Sequence, residues 1–216
     1  MSAQPTLSRK DRQAETRAAL LRSASRLFTE RGLEGTSIEQ IARDAGYTKG
    51  AFYANFASKE ELFLTMLDDK FAAEIERLEF ALAGEREPGE EARSASEDFI
   101  RFVWSDPDWP RLFFEFTAYA SRHPDFREQL AARNQALRAQ IVGVFREWSK
   151  DFPADPPLPL EDLATMTFCM ANGFIVERLI EPELGEELYG TMMTTFFRGL
   201  QALALSWDPE AEAASK

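Results

Sequence analysis

Apolar residues recur along this chain at intervals of three and four, and strict alternation never persists, so the pattern predicts helices and no strand. Leu20, Ala24, Leu27 and Phe28 set one face of a first helix that ends near Gly32. Thr36 or Ser37, with Glu39 or Gln40 three residues on, makes a capping box for a second helix, which buries Ile38, Ile41 and Ala42 and stops at Gly46. Thr48 caps a short third helix anchored by Phe52 and Phe56. Ser58 with Glu61 opens a long fourth, running to about Ala83. A loop from Gly84 to Gly89 leads to a fifth helix with Phe99, Phe102 and Val103 on one face. Asp106-Pro107-Asp108-Trp109-Pro110 breaks it, and Pro110 suits the first turn of a sixth. His123-Pro124 begins a seventh carrying Leu130, Leu137, Ile141, Val144 and Phe145. The proline-rich stretch Pro153 to Pro159 is an irregular connection, followed by helices at about 160–181 and 183–205 split by Glu181-Pro182. The predicted fold is all-α, with nine helices.

At 216 residues and 44% hydrophobic, the chain can bury a real core. No apolar run approaches the roughly 20 residues of a membrane span, and the polar start MSAQPTLSRKDRQAETR lacks the apolar stretch of a secretory signal. A cytoplasmic location without a membrane partner is the expectation. Cys169, the only cysteine, excludes an internal disulfide and a multi-thiolate zinc site. His123, the only histidine, stands at a helix break, and the acidic clusters Glu85-Arg86-Glu87 and Glu90-Glu91 lack metal-ligand spacing. Glycine-rich phosphate loops are absent. No catalytic residue, metal or cofactor is expected, and an all-helical enzyme is the losing class.

Charge changes the picture more. The net charge of −12 argues against a partner made of phosphates, yet residues 1–59 hold ten Lys/Arg against six Asp/Glu, a balance of +4. The other fifteen basic residues face thirty-one acidic ones, a balance of −16. Only the N-terminal end is suited to nucleic acid.

There, two short helices joined by a glycine turn have the layout of a helix-turn-helix. Ala42 and Ala45 are small enough for two helices to cross closely, and Gly46 can take a positive φ. Lys49, Gly50, Tyr53 and Asn55 form a polar outer face on the third helix, while Phe52 and Phe56 point inward. The segment Thr36-Ser37-Ile38-Glu39-Gln40-Ile41-Ala42-Arg43-Asp44-Ala45-Gly46-Tyr47-Thr48-Lys49-Gly50-Ala51-Phe52-Tyr53-Ala54-Asn55-Phe56-Ala57-Ser58-Lys59-Glu60-Glu61-Leu62 resembles the DNA-binding signature of the tetracycline-repressor family, and the likeness runs from Leu20 to Leu67. Tyr47 and Asn55 depart from the commonest pattern, where a small aliphatic residue and a histidine are usual. The resemblance implies double-stranded operator DNA as partner. It assigns Thr48, Lys49 and Gly50 to base edges, Tyr53 to a phosphate, and Thr36 and Lys59 to phosphates on either side, with Tyr47 a further contact. Helix N-termini attract anions, which gives Thr36 and Lys59 a physical rationale as well.

Beyond Leu67 the resemblance fades and aromatic residues become dense. Leu112, Phe113, Phe116, Tyr119 and Ala120 make a wide apolar face on the sixth helix. Core packing explains any one of these rings, and ligand pockets also favour aromatic walls. The resemblance implies a cavity within helices four to eight for a small apolar or aromatic effector. Phe102, Phe113, Phe116, Tyr119, Trp148, Met170 and Phe174 are the candidate walls, with Glu115, Tyr119 or Asn172 as polar handles. Met166 and Gly173 on the eighth helix, with Met192, Phe196, Gly199, Leu200 and Leu203 on the ninth, are the candidate homodimer interface, closing a four-helix bundle about a two-fold axis.

The expected organisation is a DNA-binding domain at 1–57 including an N-terminal arm, an effector-binding and dimerisation domain at 58–207, and a disordered tail at 208–216. The expected function is a ligand-responsive repressor that binds a palindromic operator as a dimer and is released by its effector. The rivals are a DNA-binding regulator without an effector and an all-helical enzyme.

Overall fold

The structure is a computed structural model that describes residues 8–82, 88–151 and 156–206. The N-terminal arm, the start of the expected loop at Gly84, Pro153, the acidic side chains at 85–91 and the tail from Trp207 lie outside the described residues. Among the described residues the chain forms nine α-helices and one 3-10 turn, with no strand.

α1 (Arg9–Arg31) is opened by Ser8 and Asp11, whose side chains bond each other's backbone N–H at 3.1 and 3.0 Å. It ends at Gly32, whose φ of 72° a side chain would disfavour. α2 (Ile38–Asp44) takes Ser37 and Gln40 as its capping box, which settles the choice the sequence leaves open. α3 (Lys49–Tyr53) is capped by Thr48. α4 (Lys59–Leu82) begins with the Glu61 amide donating to Ser58, while Glu61 reaches back to the amide of Ala57 at 2.5 Å. α5 (Pro88–Trp104) starts inside the expected loop, because proline is well tolerated in a first helical turn. α6 (Asp108–Ala120) starts two residues before Pro110 for a related reason: the first amides of a helix have no intrahelical acceptor. α7 (Pro124–Trp148), α8 (Leu160–Ile180) and α9 (Glu186–Ser206) complete the order.

The chain divides into two compact units. The first is the described part of Met1–Lys70 with Arg111–Leu130, so α6 joins α1–α3 and the start of α4. Its core is aromatic: Phe28, Phe52, Phe56, Phe63 and Phe116 are each at most 1% exposed. Phe63 and Phe116 stack at 3.4 Å and Phe28 meets Phe116 edge-on at 5.5 Å. Each such ring contributes roughly 1.5–3 kcal/mol by burial, which makes this cluster the anchor of the unit.

The second unit is Phe71–Pro110 with Ala131–Lys216. One cluster joins Ile75 to Leu137, Ile141, Phe145, Leu163 and Leu200; another joins Ile100 to Phe174, Tyr189 and Met193. α9 packs chiefly along α5 and touches α8 little. α8 is long and apolar enough to cross a bilayer by length and composition alone, which the longest apolar run in the sequence does not suggest. Its buried side packs Leu163, Ala164, Thr167, Phe174 and Ile175, while Met166, Leu179 and Ile180 on other sides are exposed.

Candidate functional site

The turn between α2 and α3 rests on Gly46, at φ 80°. A Cβ there would have open space, so the requirement is the backbone angle and not room. The amides of Gly46 and Tyr47 close the end of α2 on Arg43 O (3.1 Å) and Ala42 O (2.8 Å). Ile41, Ala42, Phe52 and Phe56 are at most 1% exposed, and α3 packs against α2. Lys49, Gly50 and Tyr53 are left exposed on one short face, with Tyr53 at 51%, while Thr48 stands exposed at the helix start and Tyr47 is half-buried. Asn55 turns inward instead, its amide donating to Ala51 O at 2.8 Å.

Lys49 forms an ion pair with Glu39 of α2, and its ammonium lies 5.9 Å from the Tyr53 ring centre. The pairing pushes the lysine pKa up and the glutamate pKa down. Any further partner of this cation therefore competes with Glu39 for it. Both side chains are about half exposed, and the contest is a mild one.

The two expected phosphate clamps are built differently. Thr36 is 1% exposed, with its hydroxyl 2.8 Å from Gly32 O and 3.1 Å from Leu27 O, so it cannot offer that hydroxyl to a phosphate. Lys59 donates to Leu33 O at 2.7 Å and Thr36 O at 2.6 Å, bracing the α1–α2 connection against the start of α4. Arg17, not anticipated from the sequence, is a second brace: it donates to Asn55 O (3.1 Å) and Thr65 Oγ1 (3.2 Å) and lies 4.3 Å over the Phe56 ring. Ser23 is a third, with its Oγ 3.0 Å from Ile41 O and 2.6 Å from Asp44. Its signal was legible, since a hydroxyl at Leu20+3 interrupts the apolar face of α1 and must find a partner there.

The second unit contains a cavity walled by α4, α5, α7, α8 and α9. Of the expected wall residues, Phe102 and Trp148 line it. Met170 and Phe174 sit in the adjoining cluster with Ile100 and Tyr189. Phe113, Phe116 and Tyr119 do not line it; they belong to the first unit, because the apolar face of α6 is taken up by that unit's own core. Phe116 is fully buried on Phe28 and Phe63, and Phe113 meets Phe114 edge-on at 5.3 Å. The Tyr119 hydroxyl donates to Glu60 at 3.1 Å, and Glu115 accepts the Leu33 amide at 2.6 Å, so both expected handles have other partners. Asn172 is half-buried outside the wall. The polar residues the cavity does hold include Glu74, Ser96 and Thr167. Glu74 could have been found, because it falls between Phe71 and Leu78 on the apolar stripe of α4.

On α8 and α9, Met166 and Leu203 are exposed at 40% and 56%, and a Cβ at Gly173 or Gly199 would meet nothing. Met192 and Phe196 are half-buried, packed against the core clusters. Leu200 is 8% exposed and points into its own core, so it drops out of the expected interface.

Known proteins match both parts of the chain. Residues 20–66 match the bacterial regulatory proteins of the tetR family, and residues 88–202 match the C-terminal region of BetI-type transcriptional repressors. The transcriptional activator FasR of Mycolicibacterium smegmatis is 34% identical over 47% of this chain and 46% of its own length. The chain thus spans about half of that relative. The transcriptional repressor AcnR of Corynebacterium glutamicum is 26% identical over 76% of this chain and 82% of its own. The transcriptional regulator FadR of Bacillus subtilis, solved with stearoyl-CoA, superposes with a TM-score of 0.65 at 15% identity, covering 88% of this chain and 97% of FadR. A helix-turn-helix on an aromatic core, a helical second unit, and matches over both make this chain a member of the TetR family of bacterial transcriptional regulators.

Proposed function

We propose that the protein is a dimeric, effector-released repressor that sets α3 in the major groove of a palindromic operator in the cytoplasm. The observation that carries this reading is the short face Lys49–Gly50–Tyr53, exposed on a helix whose other side is locked by Phe52 and Phe56. A helix of that size fits the major groove. Lys49 reads a base edge with Thr48 beside it, Gly50 lets backbone approach, Tyr53 donates to a phosphate, and Tyr47 contacts the flank. The match to BetI-type repressors and the likeness to AcnR favour repression over activation.

Two features support the rest. α8 is apolar around its circumference, and a helix of that kind is covered on both sides in its working state; a second copy across Met166, Gly173, Gly199 and Leu203 would cover it. The cavity's aromatic wall suits an apolar or aromatic effector, and FadR, solved with stearoyl-CoA, is a precedent within the fold for a ligand with a long apolar chain. α4 gives Lys59–Lys70 to the first unit and Phe71–Leu82 to the second. At 1.5 Å per residue its 24 residues span about 36 Å, so it is the element through which an effector would act. Half-sites lie roughly 34–36 Å apart, and a shift of a few Å in recognition-helix spacing would misalign one of the pair.

The test starts with a gel shift on DNA flanking the protein's own gene, where specific binding that weakens steeply with salt is expected. A cavity ligand is then titrated by calorimetry into free protein and into the operator complex. Linkage requires weaker binding to the complex by the factor the ligand weakens DNA binding. Equal affinities would make the ligand a passenger and overturn effector release.

A further inference from the structure

Both lysines that the resemblance assigns to DNA are engaged by the protein itself. Lys59 is bound to the carbonyls of Leu33 and Thr36. Lys49 is paired with Glu39, which stands on α2 beside the exposed face of α3. Both members of that pair are about half exposed, so the pair as a whole is presented to whatever the face meets. A carboxylate at this place cancels the lysine charge and works against attraction to phosphates. What it adds is an acceptor next to a donor.

The pair can stay intact while it binds something else. The bond between its members uses one of the three donors of the ammonium and leaves lone pairs of the carboxylate free. The Tyr53 ring, 5.9 Å from the ammonium, is a second hold on it. α2 and α3 pack on each other, and the amides of Gly46 and Tyr47 close the turn between them, so the two side chains start from one compact motif. The bond from Lys49 pushes the Glu39 pKa down, and an ionised carboxylate only accepts.

A donor beside an acceptor matches the edge of a base pair. In the major groove guanine shows N7 and O6, both acceptors, and its partner cytosine shows the N4 amino donor next to them. Building on the reading of α3 as the helix set in that groove, we propose that Glu39 is a specificity-determining residue. The intact Lys49–Glu39 pair reads one G·C base pair across both strands: Lys49 donates to guanine O6 and N7, and Glu39 accepts from cytosine N4. A T·A pair fits less well, because thymine offers the ammonium one acceptor beside a methyl group and adenine N7 sets an acceptor near the carboxylate. Either pair reversed puts donor on donor and acceptor on acceptor. Phosphates offer acceptors alone and must draw Lys49 away from Glu39, so the same carboxylate also weakens binding to unrelated sequence.

The experiment selects duplexes from a random pool with wild type and with Glu39→Ala, and measures affinities by gel shift. Wild type should require G·C at one position of each half-site, by about tenfold over the other three pairs. In Glu39→Ala that preference should fall to about twofold at that position alone. Binding of the variant to random duplex should tighten by up to about fivefold, with a salt slope steeper by about one, as Lys49 turns to phosphate. A second arm replaces each cytosine of the selected duplex by 2-pyrimidinone, which pairs with guanine and lacks the N4 amino group. One such replacement should cost wild type about tenfold and cost Glu39→Ala almost nothing. Base preferences unchanged in Glu39→Ala, or analogue losses equal in the two proteins, would overturn the inference and leave α3 in the groove. Selection of no sequence by wild type would overturn both. An analogue scan of wild type in which no cytosine matters overturns the inference even if Glu39→Ala misfolds.

Discussion

In the first unit, polar groups inside the fold are matched: Lys59 meets two carbonyls, Thr36 two more, Ser23 a carbonyl and a carboxylate, and Glu115 an amide. In the second, Glu74 has no partner, and the buried atoms Asn134 Oδ1 and Arg178 Nη1 have no hydrogen bond among the described residues. The first unit fills its centre with stacked rings, whereas the second leaves a cavity. The contrast follows from the proposed tasks. Presenting α3 to a groove rewards one rigid arrangement, and binding a guest requires space and polar capacity that the host itself does not use. Function is often held at such a cost in stability.

If that contrast is right, the same kind of substitution has different consequences in the two units. Phe116→Ala should destabilise by about 3–5 kcal/mol, because a closed ring cluster cannot collapse around the hole. Phe102→Ala, in a wall already facing space, should cost at most about 1 kcal/mol. Denaturant unfolding measures both, and equal losses would break the comparison.

Glu74→Gln should stabilise, which almost no substitution in the first unit would do. The carboxyl's pKa is raised from 4.5 to about 7 in the folded chain. The folded state therefore holds the proton more tightly, so the favourable contribution is complete below about pH 4.5 and lost as pH rises through 7. The variant should gain about 3 kcal/mol over wild type at pH 8, under about 1 kcal/mol at pH 5 and almost nothing at pH 3.5. A gain independent of pH would mean that ionisation is not the cause.

Lys49→Ala should weaken operator binding by roughly 1–3 kcal/mol and relax base preference, while Tyr53→Phe should weaken all sequences alike. Lys59→Ala sharpens the comparison. As a brace on the carbonyls of Leu33 and Thr36 it should cost about 1–3 kcal/mol of stability and leave the salt slope of DNA binding unchanged. A slope smaller by about one would restore it to the phosphate contacts. Leu203→Glu, on the exposed side of α9, should yield helical monomers by sedimentation; an intact dimer would move the interface elsewhere. The smallest effect is expected at Glu39→Gln, which frees Lys49 and should tighten DNA binding by under about 1 kcal/mol.

The all-helical fold and the helix-turn-helix were legible because both rest on local chemistry. Periodicity places Leu20, Ala24 and Phe28 on one face, and Ser37 with Gln40 closes its box within one turn. Gly46 announces its own φ. What went unread depends on partners distant in sequence. The bracing role of Lys59 could not be read because its acceptors are carbonyls 23 and 26 residues away, and carbonyls carry no residue signature. Tyr119 looked like a cavity wall because its ring suits one as well as it suits the stack with His123 that it makes.

By itself, then, the sequence determined the helices, their caps, the exposed face of Lys49, Gly50 and Tyr53 on α3, and the concentration of positive charge in the first 59 residues. Tertiary structure alone decided that α6 completes the first unit, that Thr36 is buried, that Lys59 meets the carbonyls of Leu33 and Thr36, that Leu200 is core, and that Glu74 lines the cavity. The physical reason is range. Helix propensity, capping and turn geometry act over about four residues, whereas the partner of a buried ring or a charge is chosen by packing among elements that periodicity describes and does not pair.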